Sequence, residues 1–374
     1  MAINSQLNIY LVKQLSSLFL FTVGLLSAVG VAVGTLSELA DQISNYNLPL
    51  VVAIQIFIYK IPEYIAYGLP IATLLTTLII YGRLNREWEI IAFQSVGISL
   101  YKIIIPAIYV SIIVTLITFL FNELVVPQAN YQVNLLQQAF LPETSLSLQQ
   151  KDIFYPEYKT KSNQDKQLKR LYYTNNFDGK KFNNIIILSW QSDRLTQIII
   201  ADYAYWNQQL QLWEMYQGTV ENLGNDILTT VRTNFDHYQA ALPATLFKIA
   251  QQPSDPYAMS LAEAQNYLQL ITNSGNLDKI RLFKVRIQQK LAFPFICIVF
   301  ALVGSAIGVT FNNLNRGQSF GFCVAIAFGY YLLGFIVGSL GIAGVIKPII
   351  AAWLPNFIGL GCGFWLLRSN KARV

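Results

Sequence analysis

The sequence is poor in the residues that usually carry chemistry. Among 374 residues there is one histidine, His237, and there are three cysteines, Cys297, Cys323 and Cys362. The cysteines all fall inside apolar runs, far from one another and without metal-ligand spacing, which argues against both a zinc site and a disulfide framework. Charge is scarce as well. Asp, Glu, Lys and Arg make up 12% of the chain, against 54% hydrophobic residues. A soluble domain carries about 25% charged residues, so much of this chain is built for apolar surroundings. Phosphate-binding loops are missing too. Gly179-Lys180 lacks the upstream glycine and the following Ser or Thr of a Walker A loop, and no Gly-x-Ser-x-Gly or His-Glu-x-x-His string occurs. The residues therefore point away from an enzyme, and no cofactor is expected. Work against a gradient would need a partner or an ion as its energy source. The net charge of +6 is spread along the edges of apolar runs and forms no basic face for nucleic acid.

What the sequence has is long apolar runs. A spanning helix needs about 20 residues to cross about 30 Å of hydrocarbon. Six runs qualify: Ser16 to Leu36, Ile61 to Gly82, Ile103 to Phe121, Leu291 to Phe311, Phe320 to Ala343 and Val345 to Leu367. The first is longer than a signal-peptide core and is read as a span. Leu48 to Tyr59 is apolar but short, either an interfacial helix or an outer extension of the second span. Lys and Arg in the short loops set orientation. Lys13, Arg83, Arg86, Lys102, Arg316, Arg368, Lys371 and Arg373 lie on one side, and Lys60 and Lys347 on the other. That imbalance places both termini in the cytoplasm and the polar middle of the chain on the far side.

The middle, from about Pro127 to Asp278, reads mostly as β. Ile185 to Trp190, Thr196 to Ile200 and Ile227 to Thr233 are rich in β-branched residues. Gln209 to Glu221 alternates, with Leu210, Leu212 and Met215 expected on one face. Asp178-Gly179 and, more weakly, Asn207-Gln208 are hairpin signals. Ser260 to Leu270 reads as a helix opened by a Ser260/Glu263 capping box. The expected architecture is a helical membrane protein with an inserted periplasmic antiparallel β jelly-roll domain. Residues 1–126 hold three spans, 127–280 the β domain and 281–374 three more spans.

The loop after the second span is the most distinctive stretch. A short amphipathic helix is expected at about 84–97, with Trp88, Ile91 and Ala92 on one face, Glu87, Glu89 and Gln94 elsewhere, and Gly97 ending it. It is either an interfacial cap joining two spans or a coupling helix that docks in a groove of a soluble ATPase.

Several short strings then occur in a telling order. They are Pro70, Gly82-Arg83-Leu84, Glu89-Ile90-x-Ala92, Gly97-Ile98-Ser99, Asn122-Glu123-Leu124-Val125-Val126-Pro127, Lys290-Leu291-Ala292-Phe293-Pro294, Arg316-Gly317 and Ala352-Trp353-Leu354-Pro355-Asn356. In these the chain resembles, over essentially its whole length, the LptF/LptG permease family of the lipopolysaccharide export ABC transporter. The resemblance implies a bacterial inner-membrane permease subunit that pairs with a second permease chain, either a paralogue or another copy. It implies a cytoplasmic ABC ATPase dimer as motor, lipopolysaccharide as substrate, and a periplasmic bridge protein with a jelly-roll fold as recipient. On that analogy Arg86, Glu87, Trp88, Glu89, Ile90, Ala92 and Gly97 would form the ATPase-coupling segment. The first and fifth spans would be gates, with Gly24, Gly30, Gly329, Gly334 and Gly338 in their packing. Ordinary tight packing within one bundle would use the same glycines.

One departure stands out. Relatives that move phosphorylated lipid carry basic residues at the outer end of the first span, where this chain has Glu38 and Asp41. Either the substrate has few phosphates, or its headgroup meets Arg281, Lys284, Arg286 and Lys290. Interfacial snorkelling accounts for that basic cluster equally well. Two other function classes compete. A membrane-anchored envelope assembly or sensor protein would bind a partner through the β domain without moving lipid. An ion-coupled transporter needs ionisable groups at bilayer depth, and the spans hold little beyond Glu63 and Lys347, both near an edge.

Overall fold

An apolar run has no hydrogen-bond partner in hydrocarbon except its own backbone, so each long run forms helix. The computed structural model describes residues 2–140, 150–160, 166–177, 181–191, 194–207, 212–224, 231–240, 242–243, 256–257, 259–272, 277–311 and 314–371. The chain divides into two compact units, one of Met1–Leu141 with Lys284–Val374, the other Pro142–Phe283.

The first unit holds helices α1 (Ala2–Tyr46), α2 (Leu50–Arg86), α3 (Glu89–Ser95), α4 (Leu100–Leu120) and α5 (Val126–Phe140). Near its end, α7 (Leu277–Ala292), which enters this unit at Lys284, leads into α8 (Ile296–Thr310), followed by α9 (Arg316–Ile342) and α10 (Pro348–Lys371). Among the described residues, six stretches are long and apolar enough to cross a bilayer: Gln6–Tyr46, Leu50–Arg86, Leu100–Gln137, Leu277–Thr310, Arg316–Ile342 and Pro348–Ser369, numbered here as spans 1 to 6. The apolar segment Leu48 to Tyr59 is continuous with span 2, which settles it as an extension.

Prolines shape the spans where they would otherwise break them. Pro127 has no amide to offer the preceding turn. The chain absorbs this with a π turn, Phe121–Val125, in which the Val126 amide reaches back to Phe121 O. Helix therefore continues to Phe140, past the expected boundary at Pro127. Pro294 tightens Phe293–Phe295 into a 3-10 turn between α7 and α8. Beside it, Asn356 Nδ2 donates to Ala292 O at 3.0 Å, and Tyr330 Oη donates to Asn356 Oδ1 at 2.7 Å. Two strings that stand far apart in sequence, Leu291-Ala292-Phe293-Pro294 and Trp353-Leu354-Pro355-Asn356, thus meet in one polar clasp.

The tightest helix pair is α2 with α8. Gly304 faces Leu74 and Thr77. A Cβ on Gly308 would sit 2.7 Å from Tyr81 Cβ and 2.9 Å from the Gly82 amide nitrogen, so neither helix has room for a side chain there. Within α2, Thr73 and Thr77 hydroxyls donate to carbonyls one turn back, Leu69 O and Thr73 O, at 2.8 Å each.

The second unit contains six antiparallel strands, β1 (Gln150–Thr160), β2 (Lys166–Phe177), β3 (Lys181–Gln191), β4 (Arg194–Asn207), β5 (Leu212–Asn222) and β6 (Val231–Ala240). Each pairs with its neighbour in sequence, giving the order β1-β2-β3-β4-β5-β6. The hairpin signal at Asp178-Gly179 lies outside the described residues, as do Gln208 and residues 227–230, although β2–β3 and β4–β5 pair as hairpins. Besides bulges that skip Lys169 and Thr196, pairing lapses at one matching position in each described strand: Asp152, Asn175, Asn184, Asp202, Gln217 and Asp236 form a row without ladder partners across the sheet. Asn184 and Gln217 have positive φ, 51° and 50°. At this row the buried positions step by three instead of two: Thr174 to Phe177, Phe182 to Ile185, Ala201 to Ala204. Such a step keeps the same face apolar across an irregularity that would otherwise invert it.

The buried positions of β5 are Trp213 and Met215. Of the expected trio, Leu210 lies outside the described residues; Leu212 and Met215 do not share a face, because an even and an odd position of one regular stretch of strand cannot. After the strands, α6 (Leu261–Thr272) opens with the expected capping box. The Ser260 amide donates to Glu263 Oε2 at 2.8 Å, and the Glu263 amide to Ser260 Oγ at 3.2 Å.

Candidate functional site

The connection between spans 2 and 3 is built in three parts. First, α2 runs on to Arg86, so residues 84–86 belong to the span and the expected helix at 84–97 is shorter, Glu89–Ser95. Second, a two-residue elbow follows, in which Trp88 takes the left-handed backbone (φ 58°, ψ 10°). A bulky residue there costs about 1–2 kcal/mol, and the result is a Trp88 side chain 68% exposed. Third, α3 ends in a Schellman turn. The Gly97 amide donates to Gln94 O at 2.9 Å and the Ile98 amide to Phe93 O at 3.0 Å, with Gly97 at φ 85°.

This helix has two faces. Ile90 is buried in a cluster with Leu11, Leu15, Tyr81, Leu84, Ile98 and Ile103, which fixes α3 to α1, α2 and α4. Tyr81 Oη donates to Ile103 O at 2.8 Å in the same region. The opposite face presents Trp88, Ile91 and Val96, each substantially exposed, with Ala92 beside them. An exposed apolar stripe at i, i+3, i+4 and i+8 has the pattern of a helix seated in a partner's groove.

The expected coupling residues thus separate. Trp88, Ala92, Gly97 and Glu87 are exposed. Glu87 lies 3.7 Å from Arg83 Nε, and Arg83 also hydrogen-bonds to Gln14 of α1. Glu89 is half-buried and accepts long hydrogen bonds from Tyr10 Oη at 3.3 and 3.4 Å. Ile90 faces inward. Arg86 turns toward the protein, with Nη1 donating to Leu314 O at 3.1 Å. Asn85, which the sequence pattern did not single out, donates from Nδ2 to Val309 O at 2.9 Å and Phe311 O at 3.1 Å.

The basic positions of α7 do not gather on one face. Arg281 and Lys284 are exposed. Arg281 lies 3.9 Å from Asp278, Arg286 Nη1 donates to Gln289 Oε1 at 3.0 Å, and Lys290 is buried at 6% exposure. The glycines split as well. Gly30, with Gly34, receives the Tyr64 ring, and Gly338 abuts Gln289, whereas Gly24, Gly329 and Gly334 have nothing within 4 Å of where a Cβ would sit. Among the span glycines, Gly304 and Gly308 stand against the backbone of a partner helix, a small-xxx-small pair legible in the sequence.

On the β unit, Glu214 accepts from Asn207 Nδ2 at 2.9 Å and Tyr216 Oη at 3.0 Å, with His237 Nε2 at 3.8 Å. Those hydrogen bonds, then the histidine, hold its carboxyl below the usual carboxylate range. The same carboxylate raises the Tyr216 phenol.

Fold and site together define a multi-pass helical membrane protein with an antiparallel β domain inserted between its third and fourth spans and a two-faced helix exposed between its second and third. The chain belongs to the lipopolysaccharide export system permease LptF/LptG family, whose profile matches residues 9–369. It is 22% identical over 318 residues to the lipopolysaccharide export system permease protein LptG of Haemophilus influenzae, covering 83% of this chain and 84% of that protein. It is accordingly a transport subunit of the inner membrane.

Proposed function

We propose that this chain draws lipopolysaccharide sideways from the outer leaflet of the inner membrane and passes it, through its β domain, to a periplasmic bridge protein of similar fold. A cytoplasmic ATPase dimer drives the cycle, and a second permease chain completes the cavity. Both termini and α3 lie in the cytoplasm, in keeping with the Lys and Arg imbalance. The observation that carries the reading is the apolar stripe on α3. Exposing Trp88, Ile91 and Val96 on a helix pinned by Ile90 has a purpose if a soluble motor covers them. The largely uncovered spans 1, 5 and 6 suit a second permease chain. Passive release of such a lipid is opposed by about 0.8 kcal/mol for each methylene exposed to water, so a motor and a sheltered acceptor are both needed.

The test is purification of the full chain in mild detergent with its soluble and membrane partners. An ATPase is expected to co-purify with the native chain and to be lost from Trp88→Glu, which puts a charge into the apolar stripe. Equal retention by both would overturn the docking role of α3.

A further inference from the structure

We propose that Asn85 is a positioning residue that, with Arg86 beside it, ties the last turn of α2 to the connection between spans 4 and 5, so that displacement of α3 is delivered to the first turn of α9. This rests on the reading of α3 as the motor-docking helix.

The elbow between α2 and α3 has no slack. The Glu87 amide donates to Arg83 O at 2.9 Å, the Trp88 amide to Asn85 O at 3.2 Å and the Ala92 amide to Trp88 O at 3.0 Å. The last turn of α2 therefore moves with α3. On its other side, that turn grips both ends of the connection between spans 4 and 5. Helix α8 stops because Phe311 is extended (φ −91°, ψ 115°), which leaves carbonyls of its last turn without helical amides. The Asn85 carboxamide supplies a donor to two of them, Val309 O and Phe311 O. One residue on, Arg86 holds Leu314 O. Leu314 is buried, its Cβ only 3.2 Å from where a Cβ on Gly82 would stand. Next in the chain, Asn315 caps α9: its Oδ1 accepts from the Gln318 amide at 2.8 Å, and Gln318 Oε1 accepts from the Asn315 amide at 3.1 Å.

The two elements at this joint differ in freedom. Span 4 is locked against span 2 through Gly304 and Gly308, whereas span 5 is the least buried of the six, with 17% of its most apolar stretch covered. A pull transmitted to the joint therefore moves span 5.

The test uses the full chain with its ATPase and second permease chain in proteoliposomes containing lipopolysaccharide. Asn85→Asp is nearly isosteric and removes both donors; Asn85→Ala removes them without adding charge. With Cys362, the exposed cysteine, changed to serine, a nitroxide at Phe320→Cys on α9 reports motion on ATP binding. Both variants are expected to retain the ATPase and its hydrolysis rate, to lose the nucleotide-dependent change at position 320, and to release lipid about tenfold more slowly. Native lipid release with a native label response in either variant would overturn the role of Asn85 alone. Failure of the unmodified chain to bind the ATPase would overturn the docking reading and this inference with it.

Discussion

Spans 2 and 6 are equally apolar, yet 78% of the most apolar stretch of span 2 is buried within the chain and 28% of that of span 6. Span 4 resembles span 2 in this respect, at 83% buried, and span 5 resembles span 6, at 17%. Hydropathy thus identifies what lies in the bilayer but not what touches protein. The discriminating signal is local. Span 2 presents threonines whose hydroxyls are returned to their own helix, and span 4 presents Gly304, Ser305, Ala306 and Gly308, so the two backbones approach closely. Span 5 is also rich in glycine, but Gly321, Gly329 and Gly334 face open space while Phe320, Phe328 and Phe335 point outward. A glycine marks a helix contact only when another helix stands opposite it.

The largest expected effect follows directly. Gly308→Leu places a branched side chain against the backbone of Tyr81 and Gly82 and is expected to destabilise the helical unit by about 3 kcal/mol. The same change at Gly329 should stay within about 0.5 kcal/mol. Thermal unfolding of the two variants in one detergent measures the difference, and equal midpoints would erase the distinction between locked and open spans. A smaller effect is expected at the clasp between spans 4, 5 and 6. Asn356→Leu leaves Ala292 O without its donor and should cost about 1 kcal/mol, the scale of interhelical hydrogen bonds in lipid. Tyr330→Phe, which leaves the Asn356 to Ala292 bond in place, should cost less by the same measurement. A larger loss from Tyr330→Phe would show that the ring's packing, and not the hydrogen bond to Ala292, holds the clasp.

The six spans, their separation by a β domain and the two-faced helix were legible because each is a run or a period of apolar residues. Boundaries were less so. Leu48 to Tyr59 merges with span 2 because Pro62 and Pro70 do not end the helix, and span 3 continues past Pro127 because a π turn accommodates it. Within the sheet, strand existence followed from β-branched residues, but the side facing inward did not. The skipped row through Asn175, Asn184 and Asp202 changes the parity of buried positions mid-strand, and no local pattern announces it. At the candidate site, Trp88, Ile91 and Ala92 were readable from spacing. Asn85 was not, since its carbonyl partners lie in another span and a lone asparagine carries no period. The basic residues of α7 looked like a cluster in sequence and separate on a helix, where Lys290 turns inward and Lys284 outward.

The β unit supplies the contrast in water. Its polar contacts are screened and partly solvated, so the smallest effect is expected there, at Glu214. Asn207 and Tyr216 hydrogen-bond to the carboxylate, with His237 adding attraction when protonated, and the folded carboxyl titrates below its ordinary 4.5. A group with a depressed folded pKa contributes stability that is fully present above the unfolded value and is lost as pH falls through the folded one. The β-sheet unfolding midpoint of the full chain, followed by far-ultraviolet circular dichroism, should therefore decline as pH falls below the ordinary carboxylate range, with Glu214 contributing part of that decline. In Glu214→Gln that part disappears, because an amide accepts from Asn207 and Tyr216 without titrating. The contribution should accordingly fade only in the acid range. An unchanged acid slope in Glu214→Gln would place the pH sensitivity of the sheet elsewhere.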